Sequence, residues 1–325
     1  MLAGSGAVSF VVAFVAVRVL LSRFGRFALD EPNARSLHQR PVPRTGGIAV
    51  LAGAAVSLGF GALELWLPMA LALALAALSF VDDLYGMPTA ARLAAHLAAA
   101  GLLAWYVLSP MHPLEIALLV LAVAWITNLY NFMDGSDGLA GGMAAIGFGA
   151  YAVAAFFSGH TALASLCLAL AAASVAFLLH NFHPARIFLG DVGSIPLGFL
   201  AATLGIVGWR DDLWALWFPV LVFGPFIADA TITLLKRLLR GDRVWQAHRD
   251  HYYQRMVVMG LGHRGTAWVG YGLMLSCAAA ALAGRNQAPS MQAAAFGGAS
   301  LLLAAAAVWV DLRWARFVRQ RERAA

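Results

Sequence analysis

Residues 128–138 read Asn128-Leu-Tyr-Asn131-Phe-Met-Asp134-Gly-Ser-Asp137-Gly138, directly after a stretch, 116–127, that is almost wholly apolar. Two amides and two carboxylates recur at steps of three, a spacing that puts successive side chains on one helix face. Gly135 and Gly138 then let the backbone open. Such a turn aims carboxylates at a ligand beside an apolar layer. Capping is the plainer reading, with Asn131 ending one helix and Asp137 starting the next. One Asx per helix end suffices for that, and four polar groups with two glycines exceed the need.

Other polar clusters accompany it. The first is Asp30-Glu-Pro-Asn-Ala-Arg35-Ser-Leu-His38-Gln-Arg40-Pro-Val-Pro43-Arg44-Thr-Gly46-Gly47. Its prolines stiffen it, its glycines permit close approach at a helix start, and Arg44 and its neighbours suit phosphate oxygens. Phe80-Val-Asp82-Asp83-Leu-Tyr-Gly86 puts two acids at the carboxyl end of an apolar stretch. A helix C-terminus disfavours carboxylates by roughly 0.3–1 kcal/mol, so the pair requires a compensating cation.

Next comes His180-Asn181-Phe-His183-Pro184-Ala-Arg186-Ile-Phe188-Leu-Gly190-Asp191-Val-Gly193-Ser194. Ser194 before Ile195-Pro196 reads as an N-cap with proline in the first turn. Asp191 between two glycines has the mobility to enter the shell of a hard cation. His180 and His183 read as interfacial polar residues rather than ligands. Asp229, deep in an apolar stretch, points into the bundle by default. The last cluster, 241–255, carries His248-Arg249-Asp250-His251 and Arg255, donors for a phosphate or sugar; two histidines alone make a poor zinc site.

The elements that position these residues follow from hydropathy. The 325 residues are 62% hydrophobic, with a mean hydropathy of +0.77, far more apolar side chain than one water-soluble core buries. The chain reads as an all-α, polytopic integral membrane protein forming one domain over 1–325. Spans are expected near 5–22, 46–63, 65–81, 91–108, 114–131, 139–157, 161–179, 193–208, 213–235, 265–283 and 291–310, about eleven in all. The first lacks a charged segment before Val8 and reads as a retained span starting outside, not a cleaved signal.

Alternation then places 23–45, 82–90, 132–138, 180–192, 236–264 and the tail 311–325 in the cytoplasm. Of the 22 Lys and Arg, only Arg210 and Arg285 fall in outer connections and Arg18 within the first span, as the positive-inside rule predicts. The net charge of +6 thus follows from topology, and no nucleic-acid partner is implied. Cys167 and Cys277 lie in apolar stretches and suggest neither disulfide nor zinc. The Arg-rich tail with Trp309, Trp314 and Phe317 reads as an interfacial anchor.

All the polar clusters then reach one face. Asp82, Asp83, Asp134, Asp137 and Asp191 would repel one another if gathered without cations. Mg²⁺ resolves this, because it keeps waters and uses one or two carboxylates plus substrate phosphates. The implied chemistry is phosphoryl transfer at a lipid–water boundary.

The ordered motifs Pro43-Arg-Thr-Gly-Gly, Asp82-Asp83, Asn128-x-x-Asn-x-x-Asp-Gly-x-Asp-Gly-Leu-Ala, Asn181-x-x-Pro-Ala-x-x-Phe-x-Gly-Asp-x-Gly-Ser and the histidine loop at 248–251 resemble the polyprenyl-phosphate N-acetylhexosamine-1-phosphate transferases. This superfamily, glycosyltransferase family 4, includes the starters of O-antigen and teichoic-acid linkage and the phospho-MurNAc-pentapeptide translocase. The resemblance implies a UDP-N-acetylhexosamine donor, an undecaprenyl phosphate acceptor, Mg²⁺ or Mn²⁺, UMP as leaving group, and a multi-pass protein of the bacterial inner membrane, with a homodimer as the assembly to consider. It implies Asp191 as metal ligand, Asp82 as a second metal contact and, with Asp83, as a neighbour of the reacting phosphates. Asp134, Asp137, His248 and His251 match further active-site positions. Arg44, Asn128, Asn131, Asn181, Phe188, Arg249 and Arg255 are the expected substrate contacts.

Peptidoglycan-type members resemble one another in a triple-histidine loop and a lysine soon after the paired aspartates. Here the loop is His-Arg-Asp-His and the acids precede Leu-Tyr-Gly, wording closest to the O-antigen-initiating branch, whose donors include GlcNAc, FucNAc and QuiNAc. A CDP-alcohol phosphotransferase lacks support at Ser136-Asp137-Gly138, and an Asp-Asp-x-x-Asp transferase fails at Gly86. A secondary transporter is the alternative from another class, but its binding groups belong near the bilayer midplane.

Overall fold

In the computed structural model, residues 2–32, 37–38, 40–108, 112–244, 246 and 248–324 are described; Arg35 and the outer turn at 109–111 lie outside them. Helices run in the order α1 (Leu2–Arg23), α2 (Gly46–Ala55), α3 (Trp66–Tyr85), α4 (Thr89–Leu108), α5 (Pro113–Phe132), α6 (Leu139–Phe157), α7 (Thr161–Asn181), α8 (Asp191–Arg210), α9 (Trp217–Val222), α10 (Gly224–Leu239), α11 (Tyr252–Met256), α12 (Gly262–Gly284) and α13 (Pro289–Ala324). A short antiparallel ladder, β1 (Leu29–Asp30) on β2 (Val42–Pro43), pins the first loop back on itself.

Among the described residues, nine helical stretches are long and apolar enough to cross a membrane. Two of the eleven expected spans take another form. The second is α2 continued by a 3-10 turn, Val56–Phe60. The ninth is broken at Phe223 into α9 and α10, just before Gly224-Pro225, where proline lacks the N–H that would continue the ladder. The expected 236–264 loop is also shorter, because helix resumes at Tyr252 and reaches α12 through a π-helical segment, Val257–Leu261, kinked at Gly260 with φ of 102°.

The buried centre is α8, packed against α2, α3 and α5, while α7 packs against α1, α2 and α6, and α12 against α6 and α13. Glycines set these distances. A Cβ on Gly47 would lie 2.2 Å from Gly193 Cα, so α2 and α8 touch backbone to backbone, the small-residue contact by which helices associate in lipid. Buried aromatic hydroxyls are satisfied locally, with Tyr130 OH donating to Ala140 O at 2.7 Å and Tyr151 OH to Ala201 O at 3.1 Å. Outward-facing Leu102, Trp105, Leu118 and Leu301 remain exposed, which is what a hydrocarbon surround accommodates.

Candidate active site

The compensating cations required by Asp82 and Asp83 come from two directions. Arg44, from the first loop, approaches Asp83 Oδ1 to 3.3 Å. Arg92, in the first turn of α4, donates to Asp82 Oδ2 at 3.1 Å and lies 4.0 Å from Asp191 Oδ2. Asp82 also accepts from Met87 N at 2.5 Å, which fixes the turn between α3 and α4. Asp191 opens α8, where helix N–H groups point outward and the dipole favours an anion. Ser194 therefore is not the N-cap expected from the sequence. It sits inside the helix, its hydroxyl donating to Asn131 Oδ1 at 2.7 Å, while the Asn131 side chain also hydrogen-bonds Asp191.

Backbone contacts hold this cluster in place. Phe188 N donates to Pro43 O at 2.8 Å, Gly46 N to Phe188 O at 2.9 Å and Gly47 N to Leu189 O at 2.9 Å, so the 43–47 and 188–193 segments form one joint. Gly190 has φ of 71° and its added Cβ would fall 2.2 Å from Arg44 O; only glycine fits. The Phe188 ring meets His38 edge-on at 5.0 Å.

The 128–138 run divides its polar groups. Because α5 stops at Phe132, the shared helix face expected from the three-residue spacing holds for Asn128 and Asn131 only. Asn128 turns back to donate to Ala124 O of its own helix at 2.7 Å. Asp134 sits in the turn, accepting from Gly190 N–H; desolvation and then the charge of Asp191 push its carboxyl well above the ordinary carboxylate range. Neither cap of the plainer capping reading occurs. Gly138, with φ of 77°, precedes α6 without a side-chain cap, and Asp137 instead accepts from Ala185 N at 3.1 Å and pairs with His183 Nδ1 at 2.7 Å.

Asn181 is buried and bridges two loops, accepting from Gly138 N and donating to Ile187 O, both at 2.9 Å. His263 adds a third tie. Its Nδ1 accepts from Asp137 N at 3.3 Å and meets Ser136 Oγ at 3.0 Å, and its Nε2 faces Leu37 O at 3.3 Å. That network assigns the Nε2–H tautomer.

The histidine loop approaches from α10 and α11. Asp229 accepts from Tyr252 N and Tyr253 N at 3.0 Å each and pairs with His251 Nδ1 at 3.1 Å, so the buried acid foreseen in the bundle anchors the start of α11. Tyr253 OH donates to Phe132 O at 3.1 Å, seating α11 on the end of α5. The His248 ring lies 4.8 Å from that of His251. Burial, then the charges of His251 and Arg237, lower its pKa to about 4. Arg249 flanks them. Asp250 binds Arg237 and, at 3.3 Å, Arg240. Arg255 is drawn to α13, donating to Asp311 Oδ1 at 3.1 Å.

Among the expected residues, then, Arg44, Asp82, Asp83, Asn131, Asp134 and Asp191 converge at one end of the bundle. Asp137 and Asn181 lock the turns beneath them, and His251 is held on Asp229. Arg92 was not singled out from the sequence; a cation in the first turn of a helix, against the dipole, was its signal. His263, between Gly262 and Gly265, carried none. Among the described residues no three Asp, Glu, His or Cys side chains enclose a metal site. Asp82 and Asp191, hard oxygen donors on either side of Arg92, fit instead a cation that takes one or two carboxylates and completes its shell with phosphates.

This cluster falls largely inside one family match. Residues 65–209, which include Asp82, Asp83, Arg92, Asn131, Asp134 and Asp191, match the model for glycosyl transferase family 4. The match takes in a little under half of the 325 residues. A probable undecaprenyl-phosphate N-acetylglucosaminyl 1-phosphate transferase of Bacillus subtilis is 29% identical over 288 residues, 81% of this chain and 80% of the relative. A decaprenyl-phosphate N-acetylglucosaminephosphotransferase of Mycobacterium tuberculosis is 29% identical over 311 residues, covering 78% and 76%. A phospho-N-acetylmuramoyl-pentapeptide-transferase of Staphylococcus saprophyticus is 34% identical over 148 residues, covering 45% and 46%. Arg44, His248, His251 and Arg255 lie outside the 65–209 match.

Proposed function

We propose that this protein, similar over 65–209 to glycosyl transferase family 4, transfers an N-acetylhexosamine-1-phosphate from a UDP-sugar to undecaprenyl phosphate, releasing UMP, at the cytoplasmic face of the bacterial inner membrane. The observation that carries this reading is the gathering of Asp82, Asp83, Asp134 and Asp191 around Arg44 and Arg92 at one end of an apolar bundle. Relatives named for such transfers, matched over most of both chains, support it. So does an apolar groove lined by Phe226, Ile232, Leu273, Leu303 and Val310, with Asp229 and Tyr253 also on its wall, which suits an isoprenoid tail.

In this mechanism an oxygen of the lipid phosphate attacks the donor's β-phosphorus, the new P–O bond forms, and the bond to UMP breaks in line. Arg44 and Arg92 hold phosphate oxygens while remaining tied to Asp83 and Asp82. Mg²⁺ or Mn²⁺ held by Asp191 with Asp82 would supply neutralisation of charge developing on the pyrophosphate. The acceptor's second phosphate pKa is about 6, so much of it is already dianionic, and Asp82 positions first and acts as base second. Asp134 is held above the usual carboxylate range by burial and then by the charge of Asp191.

The His-Arg-Asp-His loop favours a starter of O-antigen with GlcNAc or a 6-deoxy-N-acetylhexosamine as the sugar. The match to a pentapeptide-transferase keeps phospho-MurNAc-pentapeptide as the second reading. The test is purified protein with undecaprenyl phosphate, Mg²⁺ and a panel of UDP-sugars, with the lipid product weighed and UMP counted, before and after chelation. Metal-dependent UMP release with a hexosamine-diphospholipid product is expected. Uptake of nucleotide sugar into proteoliposomes without UMP release would overturn the reading.

A further inference from the structure

We infer that Asp311, on the outermost helix, is a positioning residue for the histidine loop. α13 is mostly exposed along its apolar length, and a carboxylate where that length ends is costly unless it is paired. Asp311 is paired three times. Its Oδ2 accepts from Lys236 Nζ of α10 at 2.5 Å and from Tyr252 OH of α11 at 3.3 Å, and its Oδ1 accepts from Arg255 Nη1 at 3.1 Å. Lys236 Nζ also donates to Tyr252 OH at 2.7 Å, and the Arg255 guanidinium lies over the rings of Tyr252 and Trp314 at 5.5 and 5.7 Å.

α11 is a five-residue turn of helix joined to α12 through the segment kinked at Gly260, and it carries His251 at its start and Tyr253 against α5. Two carboxylates hold it, Asp229 at its amino end and Asp311 from the side. Asp311 offsets two cations, Lys236 and the buried Arg255, that would otherwise push α10 and α11 apart. The consequence reaches His251, since the helix start that Asp229 caps is also what keeps the ring's Nδ1 on Asp229. Arg255, expected from the sequence to contact substrate, belongs to this clamp.

The inference rests on the proposed transfer reaction for its kinetic arm only. Hydrogen exchange of the intact protein in detergent reads the clamp directly: Asp311→Asn should speed exchange of the Tyr252 and Tyr253 amides, and Asp311→Glu should restore protection. In the transfer assay Asp311→Asn should lower kcat roughly 10- to 100-fold, the scale of a misplaced group remote from the chemistry, with KM for the UDP-sugar nearly unchanged. Asp311→Asn with Arg255→Gln should be no worse than either alone, because the second change removes the unpaired charge.

Unchanged exchange in Asp311→Asn overturns the clamp, whatever the protein's activity. Faster exchange with wild-type kcat overturns the positioning role, as does a rise in KM confined to Arg255→Gln, which would put Arg255 on the substrate. Should Asp311→Asn fail to insert, the triple change Lys236→Met, Arg255→Met, Asp311→Leu removes the charges together, and full activity in it is equally fatal.

Discussion

Asp191 carries the heaviest charge assignment of any single residue. It begins α8, hydrogen-bonds Asn131 and shares Arg92 with Asp82, so its replacement by asparagine keeps the shape and removes the anion. Loss of several kcal/mol of transition-state stabilisation corresponds to a drop in turnover on the order of 100-fold or more. Asp191→Asn is expected to insert normally and lose at least that much, while Glu64→Gln, at the opposite end beside His160 at 3.8 Å, changes little; UMP release assays check both. His248 gives a different expectation. Its pKa falls from 6.5 to about 4 in the folded chain, so between those values the unfolded state takes up the proton and the folded state does not. Stability therefore declines as pH drops through that window. His248→Gln should lose less thermal stability than wild type between a pH of about 7 and about 5, measured as Tm in detergent; equal losses would discount the perturbed histidine. The acids themselves were legible from spacing and from their cost at a helix end. Their partners were not, because Arg92 reaches Asp82 across a turn, and His263 reaches Asp137 from 126 positions away.

The joint between α2 and α8 decides at the level of elements whether the cluster exists. Arg44 and Asp191 lie on its two sides, and the Gly47–Gly193 contact sets their separation. An alanine at 47 would put Cβ 2.2 Å from Gly193 Cα, a backbone contact that no rotamer change relieves. Gly47→Ala is expected to cost about 1–3 kcal/mol through overpacking. It should also cost most of the activity, because the hydrogen bonds from Gly46 and Gly47 to the 188–189 backbone must stretch. Thermal unfolding and the transfer assay together check this, and a variant of wild-type stability and rate would remove the joint from the site. Hydropathy made the long helices legible, since each buries or exposes a continuous apolar length. It misplaced α11 because five residues with Arg255 and Gln254 among them look like loop, and their helix is imposed by Asp229. The break between α9 and α10 was written in Gly224-Pro225, but an apolar run on both sides outweighed it.

Across the whole molecule two separate orders coincide. The carboxyl ends of α3, α5 and α7 and the amino ends of α2, α4, α6 and α8 meet in the acidic cluster, and the same end carries nearly all of the arginines. At the other end, among the described residues, polar contacts such as His160 to Asp211 at 3.2 Å and Arg285 to Ser158 Oγ at 2.9 Å tie the connections together. If positive charge marks the cytoplasmic side, soluble nucleotide sugar and the head of a lipid phosphate can reach the same acids from the cytoplasm. That orientation can be read without any activity. Cys167 and Cys277 are buried, so a single cysteine added at an exposed position reports its own side. Ala315→Cys, near the end of α13, should react with a membrane-impermeant maleimide only in inside-out vesicles, and Asn286→Cys, between α12 and α13, only in right-side-out ones. The two positions lie on either side of the apolar length of α13, so they must label oppositely if α13 spans at all. Labelling of Ala315→Cys from outside would turn the whole site away from the nucleotide-sugar pool and end the proposed reaction with it.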